Sequence, residues 1–192
     1  MLHRISTKIT DTFLSNNQEY SKEVYTYGIE IILSSLLGCI SVIIISILIG
    51  SALEGIIYIA GLSLIRIFAG GYHADTYFKC NIITVSSFCV SLIVHKFCIK
   101  TSIINNPIVV IISALFVFTI LALYSPVDND YKPIDENDRS KFKIISIIIA
   151  FLIFFIVSFV YYLYGFSQAL IGVSAMNIEA ISIIISLLMK ER

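Results

Sequence analysis

From residue 30 to residue 50 the chain carries no charged side chain after Glu30 itself. That is long enough for the roughly 20 apolar residues a bilayer's hydrocarbon core demands of a helix. Five further apolar runs follow, over residues 52–69, 81–99, 107–124, 144–164 and 168–189. In hydrocarbon no water is present to satisfy a backbone N–H or C=O, so spans of this composition must be helices. The runs therefore predict an all-α, polytopic integral membrane protein with about six transmembrane helices, forming a single membrane-embedded domain over residues 1–192. Composition points the same way: 58% of residues are hydrophobic and 14% charged, against roughly 25% charged in an average soluble protein.

The polar stretches orient the spans. Residues 125–143 (SPVDNDYKPIDENDRSKFK) hold two prolines, five acids and four bases, and read as the main solvent-exposed loop. With the N-terminus on the cytoplasmic side, eleven of the thirteen Lys and Arg residues fall inside and only Lys96 and Lys100 outside, as the positive-inside rule requires. The chain then sits in the cell membrane, with the 125–143 loop and the turn between the second and third runs in the cytoplasm. The first 28 residues contain no continuous apolar stretch of the kind a signal peptide needs. Instead Leu2, Ile5, Ile9 and Phe13 recur at helical spacing, with Arg4, Lys8 and Asp11 elsewhere around the helix. Such a helix either lies in the headgroup region or packs on the protein's own spans. Tyr25, Tyr27, Tyr72, Tyr77 and Tyr124 supply interfacial anchors in a chain without Trp. Ser34, Gly38 and Ser41 are small enough to let helices approach closely, which points to a homodimer.

Several functions are excluded. The formal net charge is zero, without the basic field that nucleic-acid binding needs. There is no Walker-type loop and no G-x-G-x-x-G. C-x-x-C and H-E-x-x-H are absent, and Cys39, Cys80, Cys89 and Cys98 fall in or beside apolar runs. Neither a disulfide framework, a metal nor a cofactor is expected.

Chemistry concentrates in residues 66–80, RIFAGGYHADTYFKC, which bring together Arg66, a glycine pair, His73, Asp75 and Cys80. A thiol becomes a nucleophile when an adjacent base takes its proton. His73 and Cys80 are seven residues apart, so in a straight helix they would be separated by about 10.5 Å along the axis. The chain must bend to bring them together, and Gly70-Gly71 permits the bend. Cys80 then lies at a helix N-terminus, where the dipole favours a thiolate and free N–H groups suit an oxyanion. Taken singly, His73 reads as an interfacial cap and Cys80 as a small buried residue; paired across a Gly-Gly turn they read as base and nucleophile. Glu30, at the same end of the bundle, is the preferred orienting group for His73, and Asp75 is nearer in sequence. An intramembrane acid needs a partner, for Glu30 either His73 or Arg66. Glu179, mid-span in the sixth run, reads as an interhelical hydrogen bond, and His95, at the outer end of the third, as interfacial.

At these residues the sequence resembles the accessory gene regulator B (AgrB) membrane endopeptidases of Gram-positive quorum sensing. R-x-F-x-G-G-Y-H-A at residues 66–74 followed by Cys80, S-P-V-D-N-x-x-K-P-I at 125–134, and the six-run hydropathy carry the resemblance. It implies a thiol protease with Cys80 as nucleophile and His73 as base. The enzyme would cut the C-terminal part from a short AgrD-like propeptide through a thioester acyl-enzyme, which a cysteine or serine of the propeptide captures as a thiolactone or lactone autoinducing peptide. Arg66, Gly71 and Lys132 match family positions reported to matter and, with Asp75, are the expected substrate-binding residues. Two other readings stay open: a non-catalytic transport or interaction module with Glu30, Arg66 and Glu179 along a polar path, and a cysteine-dependent acyltransferase acting on lipid.

Overall fold

The computed structural model describes residues 2–13, 22–72, 74, 76–127 and 135–190. Helix α1 is Leu2–Phe13, α2 Lys22–Leu48, α3 Ala52–Ala69, α4 Tyr77–Lys100, α5 Pro107–Tyr124, α6 Glu136–Tyr164 and α7 Ile171–Lys190, with short 3-10 turns at Ile103–Asn105 and Ser167–Leu170. No strand occurs among the described residues. Six helices are long and apolar enough to cross a membrane, and the protein is an all-α polytopic membrane protein.

Two of the spans outrun their apolar cores. α2 and α6 contain 27 and 29 residues, which makes each at least about 40 Å long against a hydrocarbon core of roughly 30 Å. Their polar first turns therefore stand outside it. α2 begins at Lys22, well before the apolar run, because α1 lies along it: Thr26 Oγ1 donates to Thr10 Oγ1 at 3.1 Å, and Lys22 Nζ meets Asp11 Oδ1 at 2.5 Å. α6 begins at Glu136, inside the segment expected to be loop. Glu136 and Asp138 occupy its first turn, where the helix dipole favours acids, and Lys141 Nζ donates to Asp138 at 2.8 Å.

α7 is the central helix. Half of its apolar window is buried, against 17% of that of α6. It runs closely along α3 because small residues line the seam: a Cβ on Gly61 would sit 3.5 Å from the Ala175 Cβ and 3.8 Å from the Gly172 carbonyl oxygen. Close backbone approach of this kind is how helices associate where lipid removes the hydrophobic driving force. α2 and α4 pack on one side of the pair and α5 and α6 on the other. Phe151, Phe155 and Phe159 stack along the outer, exposed face of α6, as a lipid-facing surface should.

α1 meets α2 through a polar seam, with Ser6 and Thr10 fully buried and Ile5 exposed. Leu2 and Ile9 are half-buried beside the contact, so the helix packs on the protein and turns Ile5 outward. Ser34 and Gly38 are buried within the chain, and a Cβ on Gly38 would lie 2.9 Å from Asn81 Oδ1 of α4. Gly38 thus serves the α2–α4 contact inside one molecule.

Gly61→Leu is expected to overpack the α3–α7 seam and lower stability by about 1–3 kcal/mol, seen as a lower unfolding midpoint in detergent. Gly28→Ala, at a position with nothing within 4 Å of the added Cβ, should leave the midpoint unchanged or slightly raised.

Candidate active site

α3 ends where the sequence places its glycine pair. Gly70 adopts φ 74° and Gly71 φ 147°, a region that a residue with a Cβ enters only under strain. The Gly70 N–H still donates to the Arg66 carbonyl at 3.1 Å, so the helix closes properly before the chain turns. α4 opens at Thr76, whose Oγ1 accepts from the Lys79 N–H at 3.3 Å. Cys80 lies in the first turn of α4, half-buried and reduced. Its N–H donates to the Thr76 carbonyl at 3.0 Å. Of the N–H groups expected to serve an oxyanion, those of Lys79 and Cys80 are therefore already engaged.

The loop between the two helices is pinned from both sides. On one, the Val127 N–H donates to the Ala69 carbonyl at 2.9 Å, and a Cβ on Gly70 would lie 2.6 Å from the Val127 carbonyl oxygen. This joins the two segments that carried the sequence resemblance, residues 66–74 and 125–134. On the other side lies α7: the Tyr72 N–H donates to Ser182 Oγ at 2.9 Å, and a Cβ on Gly71 would lie 2.7 Å from Glu179 Oε1 and 2.8 Å from Ser182 Oγ. Arg66 bridges the loop to α7. Its Nη2 donates to the Tyr72 carbonyl, and its Nη1 lies 3.9 Å from Glu179 Oε2. Glu179 is completely buried, and among the described residues neither carboxylate oxygen has a hydrogen-bond partner.

Beside this loop is a cavity of about 130 Å³, with Arg66, Tyr72, Cys80 and Ser182 on its polar side and Ile83 and Ile181 on its apolar side. The structure thus brings Cys80 and Arg66 to one cavity and presses Gly71 against its α7 wall. His73, Asp75 and Lys132 lie outside the described residues. Glu30 is placed elsewhere: its Oε1 is 2.6 Å from His3 Nδ1, and its Oε2 accepts from Tyr77 Oη at 2.7 Å. It reaches the Cys80 helix through Tyr77, while the intramembrane acid beside Arg66 is Glu179.

Other sequence candidates fall away from this cavity. His95, expected at the interface, is buried at 2% exposure, and its Nε2 has no hydrogen-bond partner among the described residues. It lines a separate cavity of about 390 Å³, shared with Ile103, Leu170 and Asn177, roughly 22 Å farther along α4 from Cys80. Cys89 and Cys98 pack against apolar clusters. Among the described residues no group of three or more His, Cys, Asp or Glu side chains is placed to hold a metal. Two contributors to the site were not singled out in the sequence: Ser182 is an ordinary serine in an apolar run, and Val127, though inside the 125–134 block, contributes through its backbone.

Six apolar helices, three of which (α3, α4 and α7) wall a cavity that Cys80 lines, define a polytopic membrane protein. The chain belongs to the accessory gene regulator B family, whose model matches residues 3–189. It is 32% identical over 142 residues to a Clostridium perfringens (strain SM101 / Type A) protein named "Putative AgrB-like protein", covering 71% of this chain and 64% of that relative. It is also 28% identical over 145 residues to "Putative AgrB-like protein 2" of C. perfringens (strain 13 / Type A), covering 73% and 68% respectively. The chain thus spans just under two thirds of the first relative's length. No solved structure matches.

Gly71→Ala is expected to destabilise by about 1–3 kcal/mol through backbone strain and to push the loop off Glu179 and Ser182. In a chain with Cys39, Cys89 and Cys98 replaced by Ala, the alkylation rate of Cys80 by N-ethylmaleimide should then differ from that of the Gly71 parent.

Proposed function

We propose that this chain is a membrane cysteine endopeptidase. It cuts the C-terminal part from an AgrD-like propeptide and passes the remaining acyl group to a thiol or hydroxyl of the same propeptide, closing a thiolactone or lactone ring. Membership of the accessory gene regulator B family supports a role in the agr quorum-sensing system. The observation that carries the enzymatic reading is the cavity in which Cys80 faces Arg66 and the pinned Gly70–Tyr72 loop.

In this reading His73 takes the proton of the Cys80 thiol, and the thiolate adds to the scissile carbonyl carbon. The C–N bond breaks, the departing amine receives the proton from the His73 imidazolium, and a thioester to Cys80 remains. The propeptide's own thiol or hydroxyl, deprotonated by His73, then attacks that thioester and expels the Cys80 thiolate. An intramolecular nucleophile enjoys a high effective concentration, and a site at the membrane edge restricts competing water, so ring closure outruns hydrolysis.

Arg66 has one guanidinium N–H on the Tyr72 carbonyl, and its remaining donors suit a peptide carbonyl or carboxylate. Gly71 shapes the same wall, and Asp75 and Lys132 complete the substrate contacts. Glu30 stands at the same end of the bundle as the orienting group, with its Tyr77 bond fixing the first turn of α4. The site faces the cytoplasm, by the bias of basic residues to that side. The outward apolar edge of α1 receives an amphipathic propeptide helix. A transport path through Glu30, Arg66 and Glu179 is less favoured, because Glu30 is engaged by α1 and α4 while Arg66 and Glu179 pair on the α7 side.

In liposomes with an AgrD-like propeptide from the same genome, the wild-type protein is expected to release the C-terminal fragment and a cyclic peptide, both seen by mass spectrometry, and Cys80→Ala neither. Equal fragment release by Cys80→Ala, or lipid instead of peptide on Cys80, would contradict the reading.

A further inference from the structure

Glu179 takes no part in the chemistry above, yet it is the most deeply buried ionisable group beside the site. Its side chain is only 1% exposed, and among the described residues its one ion-pair partner is Arg66 at 3.9 Å and neither oxygen accepts a hydrogen bond. Packing alone does not call for a carboxylate here: an ion in hydrocarbon is expensive to desolvate, and a well-packed apolar residue in place of a buried ion pair is often neutral or stabilising for a fold. What the carboxylate does contact is specific. Gly71 leaves room for only a hydrogen where a Cβ would sit 2.7 Å from Oε1. Arg66, opposite Oε2, reaches the next residue's carbonyl, and Ser182, on the same helix face one turn on, takes that residue's N–H.

We infer that Glu179 is a positioning residue for the Cys80 site, the anionic post on α7 that holds Arg66 and the Gly71–Tyr72 backbone in their working places. This rests on the peptidase reading and deepens it. The negative charge keeps the Arg66 guanidinium turned toward α7, where its Nη2 holds the Tyr72 carbonyl. Ser182 holds the N–H of the same residue, so Tyr72 is fixed at both ends immediately before His73 in the chain. Glu179 touches neither substrate nor thiol. It acts through Arg66 and through the direction in which the loop delivers its next residue. Misplacing a catalytic group by about 1 Å costs on the order of a hundredfold in rate, so a lost post should show in turnover before it shows in binding.

The test compares wild type with Glu179→Gln, Glu179→Asp and Glu179→Met in liposomes, using the same AgrD-like propeptide. Initial rates over a range of propeptide concentrations are measured together with unfolding midpoints in detergent. The inference expects kcat of Glu179→Gln and Glu179→Met, measured below each variant's unfolding onset, to fall about 10- to 100-fold with KM little changed, beyond what the lower midpoint from stranding Arg66 accounts for. Glu179→Asp, which keeps the charge, should retain more activity than Glu179→Gln.

Wild-type turnover in Glu179→Gln and Glu179→Met would overturn the positioning role and leave the peptidase reading standing. Activity lost only in step with a fallen midpoint would reduce Glu179 to a packing residue and overturn it as well, as would a Glu179→Asp enzyme no better than Glu179→Gln. Absence of cleavage by the wild-type protein would remove the peptidase reading itself, and this inference with it.

Discussion

A guanidinium and a carboxylate held 3.9 Å apart inside a membrane bundle constrain everything built around them. Each would cost several kcal/mol to keep there alone, and removing one partner strands the other. The pair therefore ties α3 to α7 at a fixed height and depth. α7 can serve as anchor because it is the most enclosed of the spans, with Gly61, Gly172 and Ala175 letting α3 lie close against it. From that fixed point the Gly-Gly turn runs over Glu179 and Ser182 and under Val127, and α4 begins with Cys80 in its first turn.

The glycines connect this frame to chemistry. A residue with a side chain at position 70 would meet the Val127 carbonyl, and one at position 71 would meet the Glu179 carboxylate, so only hydrogen fits between the two walls. The result is a backbone segment held by hydrogen bonds on both faces beside a thiol and a small cavity. The proposed acyl transfer needs groups held in place ahead of the reaction, and the holding would be done by α7 and by the segment after α5, neither of which supplies the thiol.

Much of the fold was legible in the sequence because a membrane imposes simple rules. Length and hydropathy located all six spans, and α3 and α5 begin and end at the residues where the apolar runs do. The starts of α2 and α6 were not legible. Their first turns are polar, and what makes the first of them helical is contact with α1, while Asp138 and Lys141 support the other. At the site, the motif from Arg66 to Cys80 identified the residues that share a cavity, but the partners of its charged groups were hidden. Glu30 finds His3 and Tyr77, and Arg66 finds Glu179, across separations along the chain that leave no local pattern. Ser182 holds the loop through its hydroxyl and Val127 through its backbone amide, which no periodicity records. His95 reads as interfacial from its neighbour Lys96, but it is buried against a cavity that residues of α5 and α7 also line.

The most direct measurement is to trap the covalent intermediate. An AgrD-like propeptide whose ring-forming residue is replaced by Ala has no internal nucleophile, so an acyl-enzyme should accumulate and survive an acid quench. Tandem mass spectrometry is expected to place the N-terminal part of the propeptide on Cys80, released by neutral hydroxylamine as a thioester must be. Peptide found on Cys39, Cys89 or Cys98 instead, or a C-terminal fragment released with no hydroxylamine-labile adduct at Cys80, would contradict the account.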